Sequence, residues 1–187
     1  KENNKEDKNY NETINAYDDR IKQLKTGTKM IAVGDRVPAN VFKELGPVGP
    51  ETVSSDTLFA GRRVVLFSCP GAFTPKSSEQ HVPSYLALAN EILAEGIDEI
   101  FCVSVNDSFV MAAWGNHLGV GKKLRMLADG HCEFHTSIGL HMDCTRFSLG
   151  FRNHRFSMII NDSIVEELFL ESPGAYEVSD ASVILRQ

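Results

Sequence analysis

Val64-Val65-Leu66-Phe67-Ser68-Cys69-Pro70-Gly71-Ala72-Phe73-Thr74-Pro75-Lys76-Ser77-Ser78-Glu79-Gln80-His81-Val82-Pro83 passes from one regular element into another through a single loop. Its first four residues form an uninterrupted apolar run, the pattern of a strand buried on both faces. The loop carries Pro70, Gly71 and Pro75, and beyond it Val82, Tyr85, Leu86, Ala89, Ile92 and Leu93 recur at helical spacing. This predicts a helix from about Ser77 to Ala94 with one buried face. Ile100-Phe101-Cys102-Val103-Ser104-Val105 repeats the apolar run, so a strand, helix, strand unit results.

Further along, Asp107-Ser108 reads as the cap of a helix through Val110, Ala113, Trp114 and His117, and Leu124 to Leu127 as a short strand. Phe156 to Ile160 and Ile164 to Leu170, separated by Asn161-Asp162-Ser163, read as a hairpin. Ser179 to Leu185 reads as a capped terminal helix. Parallel units followed by a hairpin and a last helix predict an α/β domain with a mixed central sheet and helices on both faces. That order is thioredoxin-like.

The chain of 187 residues has room for one ordinary domain, taken as 29–187, behind a charged leader, 1–28. The leader holds twelve charged residues and five Asn. Within it Ile14, Tyr17, Ile21 and Leu24 place an amphipathic helix over Asn11 to Lys25, or a solvated segment with a short apolar stripe. It does not read as a transit peptide, and any targeting segment is not visible in it. A net charge of −6 with scattered basic residues argues against a nucleic-acid partner. The longest apolar run, Phe109 to Trp114, is far too short to span a membrane. Four irregularly spaced cysteines do not make a secreted disulfide framework and suit cytoplasm or an organelle matrix, mitochondrion or plastid.

The junction near Ser77 is where chemistry is expected. A side chain there meets unpaired backbone N–H groups and the positive end of a helix dipole, which favour an anion and would ease deprotonation of a thiol.

Pro70-Gly71-Ala72-Phe73-Thr74-Pro75, Ser78, His81 and Pro83 resemble the active-site loop of the peroxiredoxins, in the atypical type-II branch that includes peroxiredoxin-5-like enzymes. The resemblance extends from Ile31 to Arg186. It takes in Cys102 to Asp107, Phe109-Val110-Met111, Trp114-Gly115, Leu149 to Met158 and Glu177 to Ala181. The chain departs from the family at one position of the motif: the peroxide-attacking cysteine falls on Ser77.

The resemblance implies a thiol-dependent peroxidase reducing hydrogen peroxide and alkyl hydroperoxides, with no cofactor and no metal. A thiolate at position 77 would attack the peroxide and become a sulfenic acid. Thr74 would hold the peroxide, and Pro70 would shield the pocket from water. Arg155 would lower the thiol pKa and stabilise the leaving oxygen, while His81 and Arg152 would support from behind. Implied partners are a second copy of the chain and thioredoxin, glutaredoxin or glutathione as reductant. Cys102 matches the second cysteine of plant members, where it would resolve the sulfenic acid, although burial in a strand argues the opposite. Val178 stands where mammalian-type members carry theirs, which favours a one-cysteine cycle.

Serine cannot perform the attack, because its hydroxyl is not ionised near neutral pH and it lacks the chemistry of sulfur. Two explanations follow: a Cys-to-Ser trap of an active enzyme, or a natural non-catalytic relative that binds a redox partner. The intact remainder of the motif favours the trap.

Other residues receive plainer readings. Cys69 reads as a small buried hydrophobe, or as a substitute thiol. His131, Cys132, His135, His141 and Cys144 fit no usual zinc spacing and read as loop and surface groups. Ser77 with His81 lacks the sequence of a nucleophile elbow. Trp114 reads as core, and Arg152 as a brace for Arg155 or a surface residue.

Overall fold

The computed structural model describes residues 28–187. The leader helix expected over Asn11 to Lys25 lies outside these residues. The described chain opens with a hairpin, β1 (Val41–Gly46) and β2 (Gly49–Ser54), and a short helix α1 (Ser55–Phe59). After β3 (Arg63–Ser68) comes a π-helical turn, Ser77–His81, that runs into α2 (Val82–Ala94). There follow β4 (Glu99–Ser104), α3 (Ser108–Leu118), β5 (Arg125–Ala128), α4 (Glu133–Ser137), β6 (His141–Asp143) and β7 (Phe151–Asn153). The chain closes with the hairpin β8 (Phe156–Asn161) and β9 (Ile164–Leu170) and with α5 (Ala181–Ile184).

Seven strands make one sheet in the order β2-β1-β5-β4-β3-β8-β9, and β6 pairs with β7 separately. The centre is parallel, β3 with β4 and β4 with β5, and the flanks are antiparallel. This is the mixed, thioredoxin-like α/β sheet expected. Because side chains alternate along a strand, β3 and β4 feed two cores. Val65, Phe67, Ile100 and Cys102 pack with α2, α3 and α5. Val64, Leu66, Phe101 and Val103 pack on the opposite face with Phe59 of α1 and Phe134 of α4.

Local chemistry explains the joints. Asp107 caps α3 by accepting from the Val110 N–H at 2.9 Å. The β8–β9 turn uses Asp162 and Ser163 at φ 46° and 66°, the left-handed pair of a tight hairpin. The strand expected at Leu124 starts one residue later, where Arg125 first pairs with Phe101. The terminal helix starts at Ala181 rather than Ser179, because Asp180 is its cap and the Ser179 carbonyl is taken by side chains. Among the described residues no helix is long and apolar enough to cross a membrane.

Candidate active site

The site stands where β3 gives way to the loop that enters the π turn. Cys69 still donates its backbone N–H to the Val103 carbonyl at 3.0 Å, and then Pro70 and Gly71 leave the ladder. Ala72 N–H donates to Asn106 Oδ1 at 2.9 Å, and Phe73 turns the chain at φ 60°. Helical residues start at Pro75, whose missing N–H costs nothing in a first turn. The Val82 N–H reaches back five residues to the Ser77 carbonyl, a π geometry often found at functional sites.

Ser77 is fully buried. Its Oγ lies 2.8 Å from Thr74 Oγ1, which is also 2.7 Å from the Gly71 carbonyl, and Arg155 Nη2 donates to it at 3.2 Å. Neither partner is a base. Arg155 sits in the two-residue gap between β7 and β8 and is 8% exposed. Its Nη1 donates to His81 Nδ1 at 2.9 Å. Since a guanidinium cannot accept, His81 Nδ1 is the acceptor and Nε2 carries the proton, donated to the Ser179 carbonyl at 3.0 Å. His81 therefore faces Arg155 rather than acting as a base on Ser77, and the pairing of Ser77 with His81 for hydrolysis fails on geometry.

A second layer holds this arrangement. The Ser179 carbonyl also accepts from Tyr85 Oη at 3.1 Å and Ser157 Oγ at 2.7 Å. The segment carrying it is pinned by Glu171, whose Oε1 accepts from the backbone N–H groups of Glu177, Val178 and Ser179 and from Ser179 Oγ. Burial alone would push the Glu171 carboxyl up, but these bonds outweigh it and hold it below the usual carboxylate range. The Tyr176 ring lies 5.8 Å from the Arg155 guanidinium carbon, and burial with the neighbouring Asp180 carboxylate raises its phenol.

A cleft of about 870 Å³ opens onto this cluster, lined among others by Pro70, Thr74, Lys76, Cys144, Phe147 and Arg155. Arg152 is held elsewhere, donating to the carbonyls of Leu149 and Val105 at 3.0 Å each and lying beneath Gly71. Cys102 is fully buried in β4. Burial raises its thiol, and the adjacent Cys69 sulfur adds to that. Cys69 is buried as expected but not apolar in its contacts: Sγ lies 3.4 Å from His81 Nδ1 and 4.0 Å from Arg155 Nη1.

The expectation of loop and surface groups for His131 to Cys144 needs correction. Cys132, His135 and Cys144 are buried. His135 Nδ1 is 2.7 Å from Asp129 Oδ2, and its Nε2 is 2.8 Å from Ser68 Oγ. This order resembles a hydrolytic triad, yet Ser68 is fully buried in β3 and its Oγ also takes Asn153 Nδ2 at 2.6 Å. Asp129 further accepts from the backbone N–H groups of Glu133, Phe134 and His135. The network ties β3, α4 and β7 together. Among the described residues no group of three or more His, Cys, Asp or Glu side chains is placed to hold a metal. Trp114 is core, with its Nε1 donating to Ser78 Oγ at 3.0 Å.

The Redoxin family matches residues 32–185. Peroxiredoxin-2B of Arabidopsis thaliana is 42% identical over 159 residues, covering 83% of this chain and 97% of its own length. The chain belongs to the peroxiredoxin family. A second relative, chloroplastic peroxiredoxin-2E of the same plant, is 39% identical over 163 residues, 85% of this peroxiredoxin and 70% of that protein. The crystal structure of reduced Prx3 from Vibrio vulnificus in complex with hydrogen peroxide superposes with a TM-score of 0.81 at 44% identity, covering 84% and 98% of the two chains. Fold and family are those of a thiol-dependent peroxidase.

Proposed function

We propose that the cleft is a peroxide-reducing pocket in which Ser77 occupies the place of the attacking thiol, so that this chain is an inactive form of a peroxidase for hydrogen peroxide and alkyl hydroperoxides. The observation that carries the reading is the convergence of Thr74 Oγ1 and Arg155 Nη2 on the buried Ser77 Oγ with no base beside it. A guanidinium N–H, and a hydroxyl whose one proton can go to this atom or to the Gly71 carbonyl, suit a thiolate, or the oxygen displaced from a peroxide, better than a neutral hydroxyl. The similar Vibrio protein, which was solved with hydrogen peroxide, supports the same ligand here.

With cysteine at position 77, the thiolate attacks one peroxide oxygen and the O–O bond breaks. The departing oxygen takes a proton and leaves as water or alcohol, and a sulfenic acid remains. Thr74 and Arg155 hold the reacting oxygens, Pro70 keeps water out, and His81 holds Arg155 in place. Thioredoxin, glutaredoxin or glutathione returns the thiol, and the chain pairs with a second copy. The relatives named as chloroplastic favour a plastid among the organelle matrices considered.

The test is reductant-dependent turnover of hydrogen peroxide and an alkyl hydroperoxide by this chain and by its Ser77→Cys variant. Turnover by the variant with each class of peroxide supports the pocket. If the variant is folded and inert, a non-catalytic partner-binding role replaces this reading.

A further inference from the structure

Behind the pocket stands a thiol cluster that the proposed chemistry leaves unused. β3 and β4 run parallel with Phe67 opposite Cys102 and Ser68 opposite Val103. Cys69 therefore lies two residues past the partner of Cys102, on the same face of the sheet, and the two buried thiols perturb each other's ionisation. Cys69 also touches His81 Nδ1 and the Arg155 guanidinium, the same cation that donates to Ser77 from its other nitrogen.

We propose that Cys69 and Cys102 are a redox pair that a hydroperoxide in the pocket oxidises to an intramolecular disulfide. The proposal rests on the peroxide reading of the cleft but assigns a different nucleophile.

The two sulfurs are suited to different tasks. Burial pushes both thiols up, yet at Cys69 the neighbouring Cys102, then His81 facing the sulfur, and last the charge of Arg155 outweigh it and favour the thiolate. Cys102 keeps its proton. The Cys69 thiolate attacks a peroxide oxygen, the O–O bond breaks, and the leaving oxygen is protonated to water or alcohol. Cys102 sulfur then attacks the Cys69 sulfenic acid. The S–S bond forms, the S–O bond breaks, and the hydroxyl leaves with the Cys102 proton as water. Two thiols lose two electrons and one peroxide gains them.

The backbone allows the bond to close. Cys69 is the last residue bonded to β4, through its N–H to the Val103 carbonyl, and is followed by Pro70 and Gly71, so the approach of the sulfurs costs one terminal ladder bond and moves a loop, while Cys102 stays in its strand. Because Arg155 stands between Cys69 and the cleft, oxidation waits on local opening and is slower than attack from position 77.

The unaltered chain, reduced and then exposed to hydrogen peroxide, is expected to lose two of its four free thiols and two hydrogens in mass. Proteolysis without reductant should then give one linked peptide containing Cys69 and Cys102. Replacing both Cys132 and Cys144 with Ala should leave that link in place. The Ser77→Cys variant, assayed for turnover in parallel, separates the two readings. If it turns over peroxide while Cys69 and Cys102 stay free in the unaltered chain, the pair is refuted and the pocket stands. A link forming beside an inert variant supports the pair and refutes position 77 as the attacking site. Linkage through Cys132 or Cys144, or no oxidation of either chain, refutes the pair.

Discussion

At the scale of single residues, Arg155 decides how the site can work. Its Nη2 reaches Ser77 and its Nη1 reaches His81, so one planar cation spans the pocket and its support. Lysine would bring a point charge with no fixed fork and could not hold both edges. In the Ser77→Cys background, Arg155→Lys is therefore expected to lower kcat/KM by about 10²-fold to 10³-fold, the usual effect of losing an oriented donor. It should also raise the thiol's pKa, read as a shift to higher pH in the rate of alkylation by iodoacetamide. Equal profiles with and without the substitution would show that the cation does not act on position 77. Thr74→Val in the same background removes the hydroxyl that faces position 77 and should cost about tenfold or more in kcat/KM with little change in melting temperature. Thr74, Ser77 and Arg155 could be named from the sequence because the loop and the segment before β8 resemble those of the peroxiredoxins, and the fold brings the three side chains together. The polar company of Cys69 was not, since a cysteine closing a buried strand reads the same whether it meets leucine or arginine.

At the scale of elements, the segment from Glu171 to Ser179 acts as a clamp on the site. Glu171 gathers three backbone N–H groups and one hydroxyl, and the Ser179 carbonyl so placed accepts the hydrogen bond from His81 Nε2–H. The folded-state carboxyl is held below its ordinary value of 4.5, so the unfolded chain binds its proton more readily. That contribution to stability is complete above the ordinary value and is lost as pH falls through the lower folded value. Glu171→Gln keeps an acceptor oxygen and should cost about 1 kcal/mol near neutral pH, whereas Glu171→Ala orphans the donors and should cost about 2 to 4 kcal/mol. Melting temperature against pH should fall less steeply on the acid side for Glu171→Gln than for the unaltered chain. Parallel curves would show that Glu171 does not titrate with folding. Neither the clamp nor the β1–β2 hairpin was visible in the pattern of residues. Lys43, Glu44, Pro50 and Glu51 interrupt any apolar alternation, as an edge hairpin tolerates, and the five-residue α1 and α4 are too short to show a helical period. The β8–β9 hairpin was visible because Asn161-Asp162-Ser163 names its own turn.

At the scale of the whole molecule, the sheet divides stability from chemistry. One core, beneath α2 and α3, backs the site: Phe67 stacks on Tyr85 with centroids 3.9 Å apart and planes 2° from parallel, and its ring lies 5.0 Å from His81. The other core, built on Leu66, Phe101 and Phe134, faces away from it. Adjacent positions of one strand should then behave differently when tested together in the Ser77→Cys background. Leu66→Ala is expected to cost about 2 to 5 kcal/mol of stability through the cavity it leaves. Well below its melting midpoint it should keep kcat/KM within about twofold, because no contact of the site is altered. Phe67→Leu should cost less, about 1 to 3 kcal/mol, but should lower kcat/KM by about tenfold. Loss of the stacked ring lets His81 turn, and Arg155 loses the acceptor that fixes it. Denaturant midpoints and steady-state rates measured on both variants decide the matter. Rates that simply follow stability would mean that the two faces of the sheet are one mechanical unit, and that support for the pocket extends through the strand itself.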